Sequence, residues 1–131
     1  MKQFIFAAVI AVALFSSCSN KSGGGDQTTP KGVAEMIFSA ARNGDYGPLK
    51  NLCDDALHPD GDSKHICEVA TTSDEKLKSS FKEYFSKGKV VGEPTIEGDK
   101  AAVKVLFGPD GTKDETFNMM KKDGKWYMVS F

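Results

Sequence analysis

The spacing of apolar residues changes once along this chain, at Gly88, and that change bounds the folds open to it. Upstream, Val33, Met36, Ile37, Ala40 and Ala41 recur at helical spacing, and downstream Ala101, Val103, Val105 and Phe107 alternate with Lys100, Ala102, Lys104 and Leu106 at the two-residue period of a strand. Helices followed by strands predict an α+β domain with three N-terminal helices packed on one face of an antiparallel sheet of about four strands.

Local signals punctuate both halves. Thr29-Pro30 suits a helix start and Asn43-Gly44 a left-handed stop. A second helix is expected from Gly47-Pro48, burying a stripe of Leu49, Leu52, Cys53, Ala56 and Leu57 and ending at Pro59. A third should begin at Thr72 or Ser73, with Thr72 and Glu75 as a capping box, and bury Leu77, Phe81, Tyr84 and Phe85 against a lysine-rich solvent face. Strands are expected near Lys89 to Ile96, Lys100 to Phe107, Lys113 to Lys121 and Lys125 to Phe131. Gly98-Asp99, Pro109-Asp110-Gly111 and Asp123-Gly124 are the turns of a meander. In the last strand, strict alternation puts Trp126, Met128 and Ser130 on one face and Tyr127, Val129 and Phe131 on the other.

The N-terminus points to an address. After Met1-Lys2-Gln3, Phe4 to Phe15 form an unbroken run of 12 apolar residues, short of the about 20 that an ordinary membrane-spanning helix needs. A basic start, a short apolar run and small residues read as a secretory signal. Leu14 to Cys18, LFSSC, resembles the lipobox of bacterial lipoproteins, with Leu14 four residues ahead of the cysteine. The resemblance implies a signal peptide over 1–17, lipid on Cys18, and anchoring to a bacterial membrane; an ordinary signal cut near Ser17 is the alternative. Ser19 is compatible with outer-membrane sorting by the same resemblance. Ser19 to Thr29 carries no apolar side chain in 11 residues, which predicts a flexible tether over 18–29 and a single folded domain over 30–131. Losing residues 1–17 removes one basic residue, Lys2, and takes the formal charge from −1 to −2. Such a chain has no basic field for nucleic acid.

TPKGVAEMIFSAARNGDYGPLKNL, GDKAAVKVLF and the ending KKDGKWYMVSF resemble the small lipoprotein domains of the nuclear transport factor 2-like superfamily, over nearly the whole of Pro30 to Phe131. The resemblance implies a sheet curved around helices into a cone, often with a pocket at the wide end. Ketosteroid isomerase and scytalone dehydratase belong to that superfamily beside noncatalytic binding domains, so the fold alone chooses no function.

Cys53 to Cys67 concentrates two cysteines, two histidines and four aspartates. In an oxidising compartment, with Cys18 consumed by lipid, Cys53 and Cys67 form an even pair suited to a disulfide; two small buried hydrophobes are the alternative. His58, Asp60, Asp62 and His65 are candidate metal ligands, but their spacing matches no zinc or calcium pattern, and an ordinary polar turn is the simpler expectation. No carboxylate or histidine stands out as an acid or base, so no catalytic residue is assigned and no cofactor is expected. Phe117, Met119, Trp126 and Met128 are candidates to line a pocket or interface, because the last two strands carry apolar residues on both faces. The expected function is a noncatalytic module at the cell envelope for a small apolar ligand or an envelope protein. A small isomerase- or dehydratase-type enzyme is the alternative.

Overall fold

The computed structural model describes residues 25–131. The expected signal peptide and the lipidated Cys18 lie outside the described residues. Among those described, no helix is long and apolar enough to cross a membrane.

Helix α1, Pro30–Asn43, forms as its signals predict. The Thr29 hydroxyl accepts from the Gly32 amide at 2.9 Å, and Gly44, at φ 70°, ends the helix by donating its amide to the Ala40 carbonyl. Val33, Ile37, Phe38 and Ala41 are fully buried against the sheet and α3.

The second expected helix is not continuous. Gly47–Asn51 and Asp55–Leu57 are separate 3-10 turns. The cause is Asp54, whose extended backbone breaks the chain and whose carboxylate accepts from the Ala56 amide to start a new turn. Leu49 and Leu52, three apart, are buried, as a three-residue period allows, whereas Ala56 is exposed. Helix α2, Gly61–Glu68, stands where a polar turn was expected: Asp60 accepts from the Ser63 amide at 2.8 Å, and Ile66 and Val69 supply apolar anchors. A disulfide joins Cys53, between the two 3-10 turns, to Cys67 in α2, with Cα atoms 6.2 Å apart. Helix α3, Glu75–Phe85, is capped by Asp74 rather than Thr72. The carboxylate accepts from the Lys76 and Leu77 amides, and the Thr72 hydroxyl instead accepts from the Asp74 amide.

The sheet is antiparallel, open and five-stranded: β1 Lys89–Val90, β2 Thr95–Glu97, β3 Lys100–Phe107, β4 Lys113–Lys122 and β5 Lys125–Ser130. β1 and β2 both pair with β3, at Val90 opposite Val105 and Thr95 opposite Ala102, so they are the expected first strand interrupted at 91–94. Gly92, at φ 69°, and Pro94, which lacks a donor, account for the interruption. Asp123 and Gly124 adopt φ 52° and 78°, the pair of left-handed residues that a tight β4–β5 hairpin turn requires.

One irregularity redirects the end of the chain. Asn118 pairs with Ser130 while Met119 pairs with Met128, leaving Val129 as an extra, bulged residue. The bulge resets the alternation. Ser130 faces outward, accepting from the Asn118 side-chain amide at 3.0 Å, and Phe131 turns inward, contrary to the face that strict alternation assigns it. Its ring lies 5.2 Å from Phe117 and 6.1 Å from Phe107, edge-on to both.

The free edge of β5 is covered by loops. Trp126 and Met128 donate their amides to the carbonyls of Gln27 and Leu52, and the Val129 carbonyl accepts from the Asp60 amide, each at 2.8 Å. The Gln27 side chain adds bonds to the carbonyls of Asn51 and Trp126. Gln27, which precedes the boundary expected at Pro30, is therefore bonded into the folded domain. Backbone and amide groups tie this segment down without any apolar side chain.

Candidate functional site

The C-terminal end of β3, the start of β4 and Phe131 meet α2 and α3 around a solvent-open cleft of about 400 Å³. Its floor is aromatic. Phe85 of α3 stacks parallel on Phe107 of β3 with ring centres 5.1 Å apart, and Phe81 stacks on Phe85 at 4.8 Å. Leu77 and Ile66 extend the apolar wall on the two helix sides. Phe131 closes the far side, placed there by the Val129 bulge.

Polar groups are confined to the rim. Asp62 and His65 come from α2, Ser80 and Tyr84 from α3, and Lys113 from β4, and all five are exposed. Their positions follow from helical geometry. Asp62 and His65 stand three apart and so share the face that also carries Ile66, while Leu77, Ser80, Phe81 and Tyr84 repeat at i, i+3, i+4 and i+7 along α3. His65 Nδ1 lies 3.1 Å from Glu68 Oε2. The Lys113 ammonium lies 5.1 Å above the Phe107 ring and 4.0 Å from Glu115 Oε2, the outer limit of an ion pair. A site of this kind can hold an apolar body against rings and read one polar end at its mouth.

The residues singled out in the sequence fall in three places. Phe117, Met119 and Met128 are not cleft residues: they are fully buried on the inner face of the sheet, where they contact the helices. Trp126 is also core, although it borders a separate groove of about 480 Å³ near Thr29, Pro94 and Ile96, with the Lys121 ammonium 5.9 Å above its ring. Of the loop residues, Asp60 is occupied as the cap of α2, and His58 ends a 3-10 turn in a left-handed conformation at φ 52°. Only Asp62 and His65 reach the cleft. Among the described residues, no group of three or more His, Cys, Asp or Glu side chains comes together as a metal shell, and the two thiols nearest to it are spent in the disulfide.

Most of the cleft was visible as pattern but not as site. Phe81, Tyr84 and Phe85 read from the sequence as the buried stripe of a helix, which is true of Phe81 and Phe85; that Tyr84 is 46% exposed beside them marks where the stripe opens. Ile66, Phe107, Lys113 and Phe131 carry no local signal of a shared surface.

No family model, curated protein or solved structure matches the chain.

Proposed function

We propose that this protein is a membrane-anchored lipoprotein of the bacterial cell envelope, held by lipid on Cys18 and sorted to the outer membrane, whose domain is a noncatalytic binding module. The observation that carries the binding reading is the open aromatic cleft with its polar groups at the rim. Helices on one face of an open antiparallel sheet support a nuclear transport factor 2-like cone, with the cleft at its wide end.

A second reading, a small isomerase- or dehydratase-type enzyme, draws on Asp62 and His65 standing one helical turn apart at the same rim. General acid–base chemistry favours a group held in the apolar interior, where its proton affinity is tuned. Both side chains are instead exposed, which favours binding without turnover.

Two measurements test the proposal. Cys18→Ala should move the protein from the membrane fraction to the soluble one, and globomycin should block its processing; unchanged fractionation would remove the anchor. For the cleft, amide and aromatic-ring NMR shifts induced by small aromatic compounds at millimolar concentration should cluster at Phe85, Phe107 and Phe131. Shifts confined to other surfaces would remove the binding reading.

A further inference from the structure

We infer that the cleft selects an amphipathic carboxylic acid, with a single ring or short chain lying on the phenylalanine floor and the carboxylate at Lys113. The inference rests on the binding-module reading and gives the ligand its chemical class.

Size sets the first limit. At about 400 Å³ the cleft is at the small end of ligand pockets, which run from about 300 to 1,000 Å³, so one ring or one short chain fits rather than a large lipid. The floor formed by the stacked rings of Phe81, Phe85 and Phe107 carries no hydrogen-bonding group, so the body of the ligand is apolar.

The sign of the polar end follows from the donors and acceptors at the rim. Lys113 is donor-only, the Ser80 and Tyr84 hydroxyls each have a hydrogen to give, the His65 Nδ1 hydrogen is directed to Glu68, and Asp62 is acceptor-only. The Lys113 charge is also the one set directly above the floor, at 5.1 Å from the Phe107 ring. Glu115 reaches it only at 4.0 Å, which leaves ammonium hydrogens for an incoming anion. Asp62 and His65 sit on the exposed turn of α2, and Glu68 stands 3.1 Å from the imidazole. A ligand lying on the floor with its head at Lys113 therefore directs its negative charge to the β4 side of the cleft, where the donor is.

The test uses the full chain in its Cys18→Ala form, so that no detergent competes for the cleft, titrated calorimetrically at neutral pH with 4-phenylbutyrate, 4-phenylbutanol and 4-phenylbutylamine. The acid should bind at least tenfold more tightly than the alcohol or the amine. Lys113→Gln should abolish that advantage, so that within the variant the acid binds no more tightly than the alcohol, and because Lys113 is exposed the variant should keep the wild-type circular dichroism spectrum. Tightest binding of the amine would overturn the inference and make Asp62 the reader of charge. Equal binding of all three, or an unaltered acid affinity in Lys113→Gln, would overturn it while leaving an apolar binding cleft in place. Binding of none would overturn both this inference and the binding-module reading on which it rests.

Discussion

Gly88 shows how closely a single position can be set by its neighbours. A β-carbon added there meets the ring atoms of Phe38, which is itself fully buried and packed 5.8 Å from the Phe117 ring and 6.4 Å from Phe85. The requirement is steric and not conformational. Gly88→Ala should therefore destabilise the domain by about 1–3 kcal/mol, the usual cost of overfilling a packed core, as read from urea midpoints. Shortening the ring should relieve the clash: the Gly88→Ala, Phe38→Leu double variant should be more stable than the sum of the single changes predicts, and strict additivity would show that the two do not touch.

Charge acts at the same scale in one well-formed pair. Asp54 Oδ2 and Lys122 Nζ lie 2.6 Å apart, linking the break between the 3-10 turns to the end of β4. The hydrogen bond from Lys122, aided by the Ala56 amide, holds the Asp54 carboxyl below the usual carboxylate range, and the same bond raises Lys122. A carboxyl depressed by folding contributes stability above its unfolded value, near about 4, and loses it as pH falls through the lower folded value. An ammonium raised by folding contributes below its unfolded value and loses it as pH rises through the higher folded one. Asp54→Asn should thus lower the urea midpoint by a constant amount around neutrality, and the difference should close below about pH 4. A gap that persisted into acid would show that the effect does not depend on the Asp54 charge.

At the scale of elements, α2 depends on its connections. It is eight residues long, below the length at which an isolated helix is stable, and it is held by Ile66, by the Asp60 bond to Val129 and by the disulfide. The bridge closes a sequence separation of 14, for which the chain-entropy model gives about 3 kcal/mol. The double variant Cys53→Ser, Cys67→Ser should lose about that much while keeping its strand signal in circular dichroism, and hydrogen exchange should accelerate in α2 before it does in β3. Uniform acceleration across the sheet would mean that the bridge supports the whole fold. Because Asp62, His65 and Ile66 come from α2, the double variant should also widen one wall of the cleft.

Across the whole molecule, the N-terminal segment serves as an edge guard. Three hydrogen bonds involve Gln27: its side chain donates to the carbonyls of Asn51 and Trp126 and its carbonyl accepts from the Trp126 amide, so two of the three cover the start of β5. A chain beginning at residue 30 should be less stable than one beginning at residue 25 by about 1–3 kcal/mol, given that each such bond contributes about 1 kcal/mol net. It should also self-associate more at high concentration, since the uncovered strand edge is free to pair. Equal stability of the two chains would return the boundary to Pro30. Gln27 lies beside Trp126, the second residue of β5, whereas the cleft includes Phe131 at the strand's other end. The segment that leads toward residue 18 and the proposed ligand site are therefore separated by the length of a strand.

Elements whose cause is local are legible in the amino-acid order. The two periods, Thr29-Pro30 with Asn43-Gly44, and Asp123-Gly124 are each readable from a few adjacent residues, and the α+β order, α1 and the β3–β4–β5 meander follow from them. The even pair of cysteines was also legible, since pairing needs only two thiols and an oxidising setting. Tertiary structure decided what depends on competition between distant groups. Asp54 divides an apolar stripe that reads as one helix, and Asp60 starts another helix where a polar turn reads, because a carboxylate that satisfies a free amide outweighs weak periodicity. The extra residue at Val129 is invisible in the sequence, because a bulge exists only relative to the partner strand. That one residue turns Phe131 inward, and with it assembles a cleft whose members, from Asp62 to Phe131, share no local pattern.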